Sequence, residues 1–128
     1  SFGIGSGTNV ISNTSEDDMT TMWAKYTAGA ATFGVQLSEI DKTAANSDVD
    51  REAASISVAV NENLSVSYGI STVEYENSTK SDEESSGFSA SYTMGSMTLG
   101  AVANKTDSIS GTAGTDYSFT EVSLAFAF

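Results

Sequence analysis

Apolar and polar residues alternate with a period of two through most of this chain, and that rhythm leaves few architectures open. Val122, Leu124, Phe126 and Phe128 occupy one parity of the C-terminal segment, and Glu121, Ser123, Ala125 and Ala127 the other. Successive side chains of a strand point to opposite faces, so such a segment reads as a strand with one apolar and one polar or small face. The same reading holds for Met97 to Asn104, Phe88 to Gly95, Leu64 to Ser71, Ala54 to Asn61, Ala31 to Ser38 and Met22 to Ala28, with Val102 as an exception. Phe2 and Ile4, set between glycines, look like the remnant of an eighth segment. A helix would need apolar residues three and four apart, and no segment keeps that spacing beyond one turn. The fold class expected is therefore all-β.

The connections sort into two kinds. Tight turns are expected at Gly29-Ala30, Asn61-Glu62-Asn63 and Gly95-Ser96, where the residues tolerate turn geometry. Long, acidic, Ser-rich loops are expected at Ser6 to Asp18, Asp41 to Asp50, Asn77 to Ser86 and Ser108 to Asp116. Short and long connections alternate, which in an antiparallel meander puts all tight turns at one end of the sheet and all long loops at the other.

Composition narrows the function classes. Only 39% of the 128 residues are hydrophobic, a value fit for a polar or disordered chain, so order rather than content carries the fold. A net charge of −12 opposes binding to nucleic acid, which needs clustered Lys and Arg. With no Cys and no His, zinc fingers, disulfide scaffolds and Cys- or His-dependent catalysis are excluded. No apolar run approaches the length of a transmembrane helix, and no basic, apolar leader is present, so any signal peptide is expected to have been removed.

The apolar face has two possible destinations. A soluble sandwich would turn it inward, whereas a membrane barrel would turn it to lipid and give the Ser, Gly and Thr face to a lumen. The barrel is favoured by the asymmetry of the connections and by aromatic residues near strand ends, among them Tyr26, Phe33, Tyr75 and Phe88. Charges also enter the apolar parity only near the long loops, at Glu39, Glu52, Glu74 and Lys105.

With those residues in place, the chain resembles the C-terminal part of a bacterial outer-membrane porin. The specific cue is the ending Glu121-Val122-Ser123-Leu124-Ala125-Phe126-Ala127-Phe128, whose alternation and terminal Phe are similar to the signal by which that family's last strand is recognised during assembly. Val122, Leu124, Phe126 and Phe128 would form this signal. The acidic loops and abundant small residues are similar in style to general porins of alphaproteobacteria. The resemblance implies an antiparallel transmembrane β-barrel over residues 1–128, with about eight strands. A self-contained eight-stranded barrel and half of a sixteen-stranded one both satisfy the pattern. Small inward residues favour the second, because eight strands enclose a space that side chains must fill. The resemblance further implies a homotrimer in the outer membrane, contacts with lipid and lipopolysaccharide, and passive diffusion of small hydrophilic solutes without a cofactor. In this reading the constriction loop would lie in the other half of the barrel.

Site residues follow from parity. Lys25 and Trp23 share the inward parity, as do Ser57, Glu121 and Ser123, and these are candidates for the lumen wall; the alternative for Lys25 is a stem lying along the wall with its head in water. Asp48, Asp50, Asp82, Glu83 and Glu84 are loop candidates for Ca²⁺ or Mg²⁺, although none of these runs has EF-hand spacing and a solvated acidic loop is the commoner reading of such charge runs. Paired carboxylates in water lack the dry cleft that acid–base catalysis requires, and Gly5-Ser6-Gly7 and Gly111-Thr112-Ala113-Gly114 have no following helix or Lys to hold phosphate. An enzyme is not expected. The competing classes are a diffusion channel, a small barrel acting through acidic loops, and a soluble β-sandwich or adhesin module.

Overall fold

The computed structural model describes residues 1–12 and 15–127 of the chain. Eight antiparallel strands form one sheet in sequence order: β1 (Phe2–Ser12), β2 (Ser15–Ala28), β3 (Ala31–Lys42), β4 (Val49–Ala59), β5 (Leu64–Tyr75), β6 (Glu83–Met94), β7 (Met97–Asp107) and β8 (Tyr117–Phe126). Each strand pairs only with its neighbours in sequence, and among the described residues nothing joins β1 to β8, so the sheet is open. A single 3-10 turn at Ile109–Gly111 is the only helical element among those residues.

The strands reach further than side-chain alternation indicates. The segment Ser6 to Asp18, expected to be a long loop, is instead largely strand, with pairs running from Phe2–Ala24 to Val10–Glu16. Once Ile4 and Met22 are opposed, the backbone ladder continues through Gly, Thr and Asp because each added residue satisfies its own N–H and C=O whatever its side chain. Likewise Asp17, Asp18, Asp50, Glu83 and Glu84 lie within strands rather than on loops.

Turn chemistry sets the tight end. Gly29 and Gly95 adopt φ of 59° and 61°, the left-handed region that a two-residue hairpin demands and other residues resist. In the turn after β4, Asn61 closes the chain through its side chain, whose Oδ1 accepts from the N–H groups of Asn63 and Leu64, both at 2.9 Å. The opposite end carries the longer connections 43–48, 76–82 and 108–116.

Register converts the alternation of single strands into two continuous faces. Cross-strand partners share a face, so the pairs Leu124–Leu99, Leu99–Tyr92 and Tyr92–Leu64 extend one apolar surface from β8 to β5, and Val66–Val58 with Ile56–Phe33 carries it to β3. Tyr26–Phe33 and Ile4–Met22 bring it to β1. Nothing within the chain covers this surface: Ile4 is 73% exposed, Tyr26 69% and Val122 69%. Val73 is the one buried hydrophobic residue among those described, at 4% exposure. The accessible surface is 8766 Å², against about 6,500 Å² for a compact monomer of this mass. This sheet has no core of its own.

The apolar band runs obliquely to the hydrogen-bonded rows. The row through Ile4 passes Met22 and Leu37, then meets Glu52, Thr72, Glu84 and Asp107. On β7 the last apolar residue of this face toward the long loops is Ala103, four positions from Asp107. On β8 it is Val122, four positions from Ser118, the residue reached by the row through Phe2. The apolar edge therefore recedes across the sheet from Ile4 to Val122, by about 0.7–0.9 residue per strand counted along these paired rows, while Glu52, Glu84 and Asp107 keep to the one row.

Candidate functional site

The polar face is concave and holds a trough of about 960 Å³ lined from β2 across to β8. Two adjacent rows make its floor. One begins at Trp23, continues through Gln36, Ala53, Ser71, Ser85 and Thr106, and ends at Tyr117. The next begins at Lys25, continues through Gly34, Ser55, Gly69, Gly87 and Asn104, and ends at Phe119. Glycines deepen the second row, while hydroxyl and amide groups line the first.

Hydroxyl groups on this face bond to one another across strands. Ser67 pairs with Ser89 at 2.7 Å, Ser85 with Thr106 at 2.9 Å, and Thr93 with Thr98 at 3.1 Å. Gln36 Nε2 donates to Ser38 Oγ at 3.2 Å, and Thr21 Oγ1 to the same atom at 3.1 Å. These pairs hold the small side chains flat to the wall and leave their remaining hydrogen-bonding capacity toward the trough.

Aromatic rings stand at both margins. Trp23 lies across Gly3 of β1, where any Cβ would overlap the indole, so the glycine is what lets the ring rest on the strand. Tyr117 and Phe119 lie two apart on β8, their ring centroids 6.2 Å apart and their planes tilted by 37°. Tyr117 is 60% exposed and Trp23 42%. Among the charged residues lining the trough, Lys25 has the concave parity, whereas Lys105 belongs to the convex face and donates to Asp107 Oδ2 at 2.6 Å.

The connection 108–116 folds back onto the concave side at the long-loop end of β5 and β6. Gly111 is buried against Tyr75 and Lys80, Ser110 N–H donates to Glu83 Oε2 at 2.7 Å, and Ser81 N–H donates to the Gly111 carbonyl at 3.0 Å. Lys80 Nζ sits 4.2 Å from the centre of the Tyr75 ring, a cation–π contact within the β5–β6 connection, and Gly111 packs against both residues.

The residues singled out from sequence distribute as follows. Lys25, Ser57, Glu121 and Ser123 share the concave face, and Val122, Leu124 and Phe126 the convex one. Phe128, the terminal residue of the expected assembly signal, lies outside the described residues. The five acidic candidates are not brought together: Asp50 and Glu84 are on the convex parity, Glu83 is concave and engaged with Ser110, Asp82 lies in the connection before β6, and Asp48 Oδ1 accepts the Lys42 N–H at 2.7 Å. Among the described residues no group of three acidic side chains is arranged to hold a metal ion. Sequence reasoning missed Tyr117 and Phe119, although extending the parity of Glu121 and Ser123 by two steps would have reached both. Comparison with family models, curated proteins and solved structures finds no match to this chain.

Proposed function

We propose that this sheet is part of the wall of an outer-membrane β-barrel porin, through which small hydrophilic solutes diffuse passively. The observation that carries the reading is the oblique apolar band. A membrane is a flat slab, and strands that cross it at a tilt must shift their apolar stretch by a constant step relative to the hydrogen-bonded rows. A step near 0.8 residue per strand, at about 3.3 Å rise and 4.8 Å strand spacing, corresponds to a tilt of roughly 30°, just below the range of closed barrels. The apolar stretch from Ala31 to Leu37 spans about 20 Å along its strand, comparable to the lipid-facing band of such barrels.

The uncovered convex face and the polar trough divide the roles: lipid on one side, water and solute on the other. Open edges at β1 and β8 would leave N–H and C=O groups unpaired in lipid, so the wall closes through further strands, in our reading to sixteen, with barrels assembled as homotrimers. Beyond the band, Glu39, Asp50, Glu52, Glu74 and Glu84 form an acidic border on the convex side at headgroup depth. The test is reconstitution of the native protein in planar bilayers. Stepwise ohmic conductance supports the channel. A protein soluble without detergent that yields no conductance overturns it in favour of a sandwich, and detergent-dependent protein without conductance points to a closed structural barrel.

A further inference from the structure

We propose that Met94 and Met97 bind a soft monovalent cation, of the class of Cu⁺ and its redox-inert analogue Ag⁺, across the hairpin that joins β6 to β7. The site lies at the tight-turn end of the convex face and does not rest on the diffusion reading.

Donor chemistry supplies the first reason. The chain has no Cys and no His, so the thioethers of its four Met residues are its only soft ligands. Hard cations such as Mg²⁺ and Ca²⁺ take oxygen, whereas thioether sulfur selects Cu⁺.

Register supplies the second. Met94 and Met97 are direct partners in the last pair of the β6–β7 ladder, with Gly95 and Ser96 between them as the turn. Directly opposed residues of an antiparallel pair share a face and hold their Cβ atoms about 4.5–5.5 Å apart. Each sulfur follows on a flexible, unbranched stem, so both can reach one ion without movement of the backbone. The remaining two Met residues lack that relation. Met19 stands opposite Gly7 and Ile40, Met22 opposite Ile4 and Leu37, and the two point to opposite faces of β2.

The third reason is that the hairpin is held on every side. Gly95 takes the left-handed φ of 61° that the two-residue turn requires. On the other face, the Thr93 and Thr98 hydroxyls bond at 3.1 Å. Thr93 N–H donates to the Asn63 carbonyl and Ala127 N–H to the Ser96 carbonyl, both at 2.8 Å, which ties the turn to its neighbours on both flanks. The two stems therefore leave a fixed base, and little backbone order has to be imposed when an ion binds. Phe126, the partner of Met97 on β8, adds an aromatic ring at the neighbouring position of the same face, and ring faces attract cations. Met94 is 56% exposed and open to an arriving ion.

Apolar bulk alone accounts for the pair less well. Leu supplies bulk with better-defined rotamers, as Leu99 does at the next convex position of β7. Met as a filler of irregular gaps belongs to a packed core, which this face lacks.

The protein, folded in detergent micelles and carrying ¹³C in its Met methyl groups, is titrated with silver nitrate in chloride-free buffer. A heteronuclear spectrum follows the methyl signals, assigned through single Met-to-Leu variants. The Met94 and Met97 signals are expected to shift together and saturate at one ion per chain. Those of Met19 and Met22 should respond only at about tenfold higher silver, because a lone thioether has no second donor tethered beside it. Potassium nitrate should move none of them. Met94→Leu nearly conserves volume but removes one donor, so silver affinity read at Met97 should fall about tenfold or more, whereas Met22→Leu leaves it unchanged. Circular dichroism checks that each variant is folded. Should Met94→Leu not fold, the joint saturation of the two signals in the unaltered protein decides. Methyl groups that all respond alike, no saturation, or unchanged affinity in folded Met94→Leu overturns the proposal.

Discussion

Trp23 and Tyr117 are 94 residues apart in the chain yet stand on one hydrogen-bonded row, with five strands between them. No local pattern predicts that relation. It arises because each strand pairing adds its own register, and six successive registers sum to bring both rings to the same level of the concave face.

Facing is tested most directly on β8. A fluorophore on Leu124 is expected to report a hydrocarbon environment in lipid vesicles and one on Ser123 an aqueous environment, since the two neighbours point to opposite faces. Aqueous signals from both would remove the membrane assignment of the convex face.

Two adjacent residues of β4 give the energetic version. Val58→Arg is expected to cost about 2–4 kcal/mol in lipid, because Val58 lies in the apolar band between Ala31 and Val66, while Ser57→Arg faces the trough and costs about 1 kcal/mol or less. Reversible urea unfolding in vesicles measures both, and equal costs would contradict the facing.

The glycines of β1 separate packing from backbone effects. Gly3→Ala places a Cβ inside the Trp23 indole, so the ring must leave its seat, with about 1–3 kcal/mol lost and a shift in Trp emission. Gly5→Ala meets nothing within 4 Å and should leave emission unchanged. Matching spectra for the two variants would show that the indole does not rest on β1.

Charge selectivity follows from which acids share the concave face. Asp17, Glu83 and Glu121 have the concave parity, whereas Asp18, Asp50 and Glu84 point to the convex side. A weak preference for cations is expected at low salt, fading as salt shortens the Debye length to about 8 Å near physiological strength. Asp17→Asn should reduce the preference more than Asp50→Asn. Reversal potentials across a planar bilayer under a salt gradient at two mean concentrations measure this, and anion preference at low salt would place the dominant charge on strands outside this sheet.

Much of the fold was legible from residues alone because strand alternation is local: a run such as Phe88, Ala90, Tyr92 and Met94 states its own conformation and its own two faces. The ends of strands were less legible, as the pairing of Gly3, Gly5 and Gly7 with Trp23, Thr21 and Met19 shows, because backbone hydrogen bonds extend a ladder through residues that carry no apolar signal. Lys25, Ser57, Glu121 and Ser123 could be grouped by parity, but parity says nothing of level along the sheet.

The amino-acid sequence by itself determined that the chain forms strands, which side chains share a face within each strand, and where Gly29 and Gly95 reverse it, since all three depend on neighbours a few residues apart. Only the tertiary structure decided how far each strand is displaced against the next. That displacement set the slope of the apolar band, divided the acids between the faces, and placed Trp23, Tyr117 and Phe119 around one trough. The physical reason is that register is a sum over hydrogen-bonded partners distant in sequence, and a one-residue slip at any hairpin would send every later side chain to the opposite face.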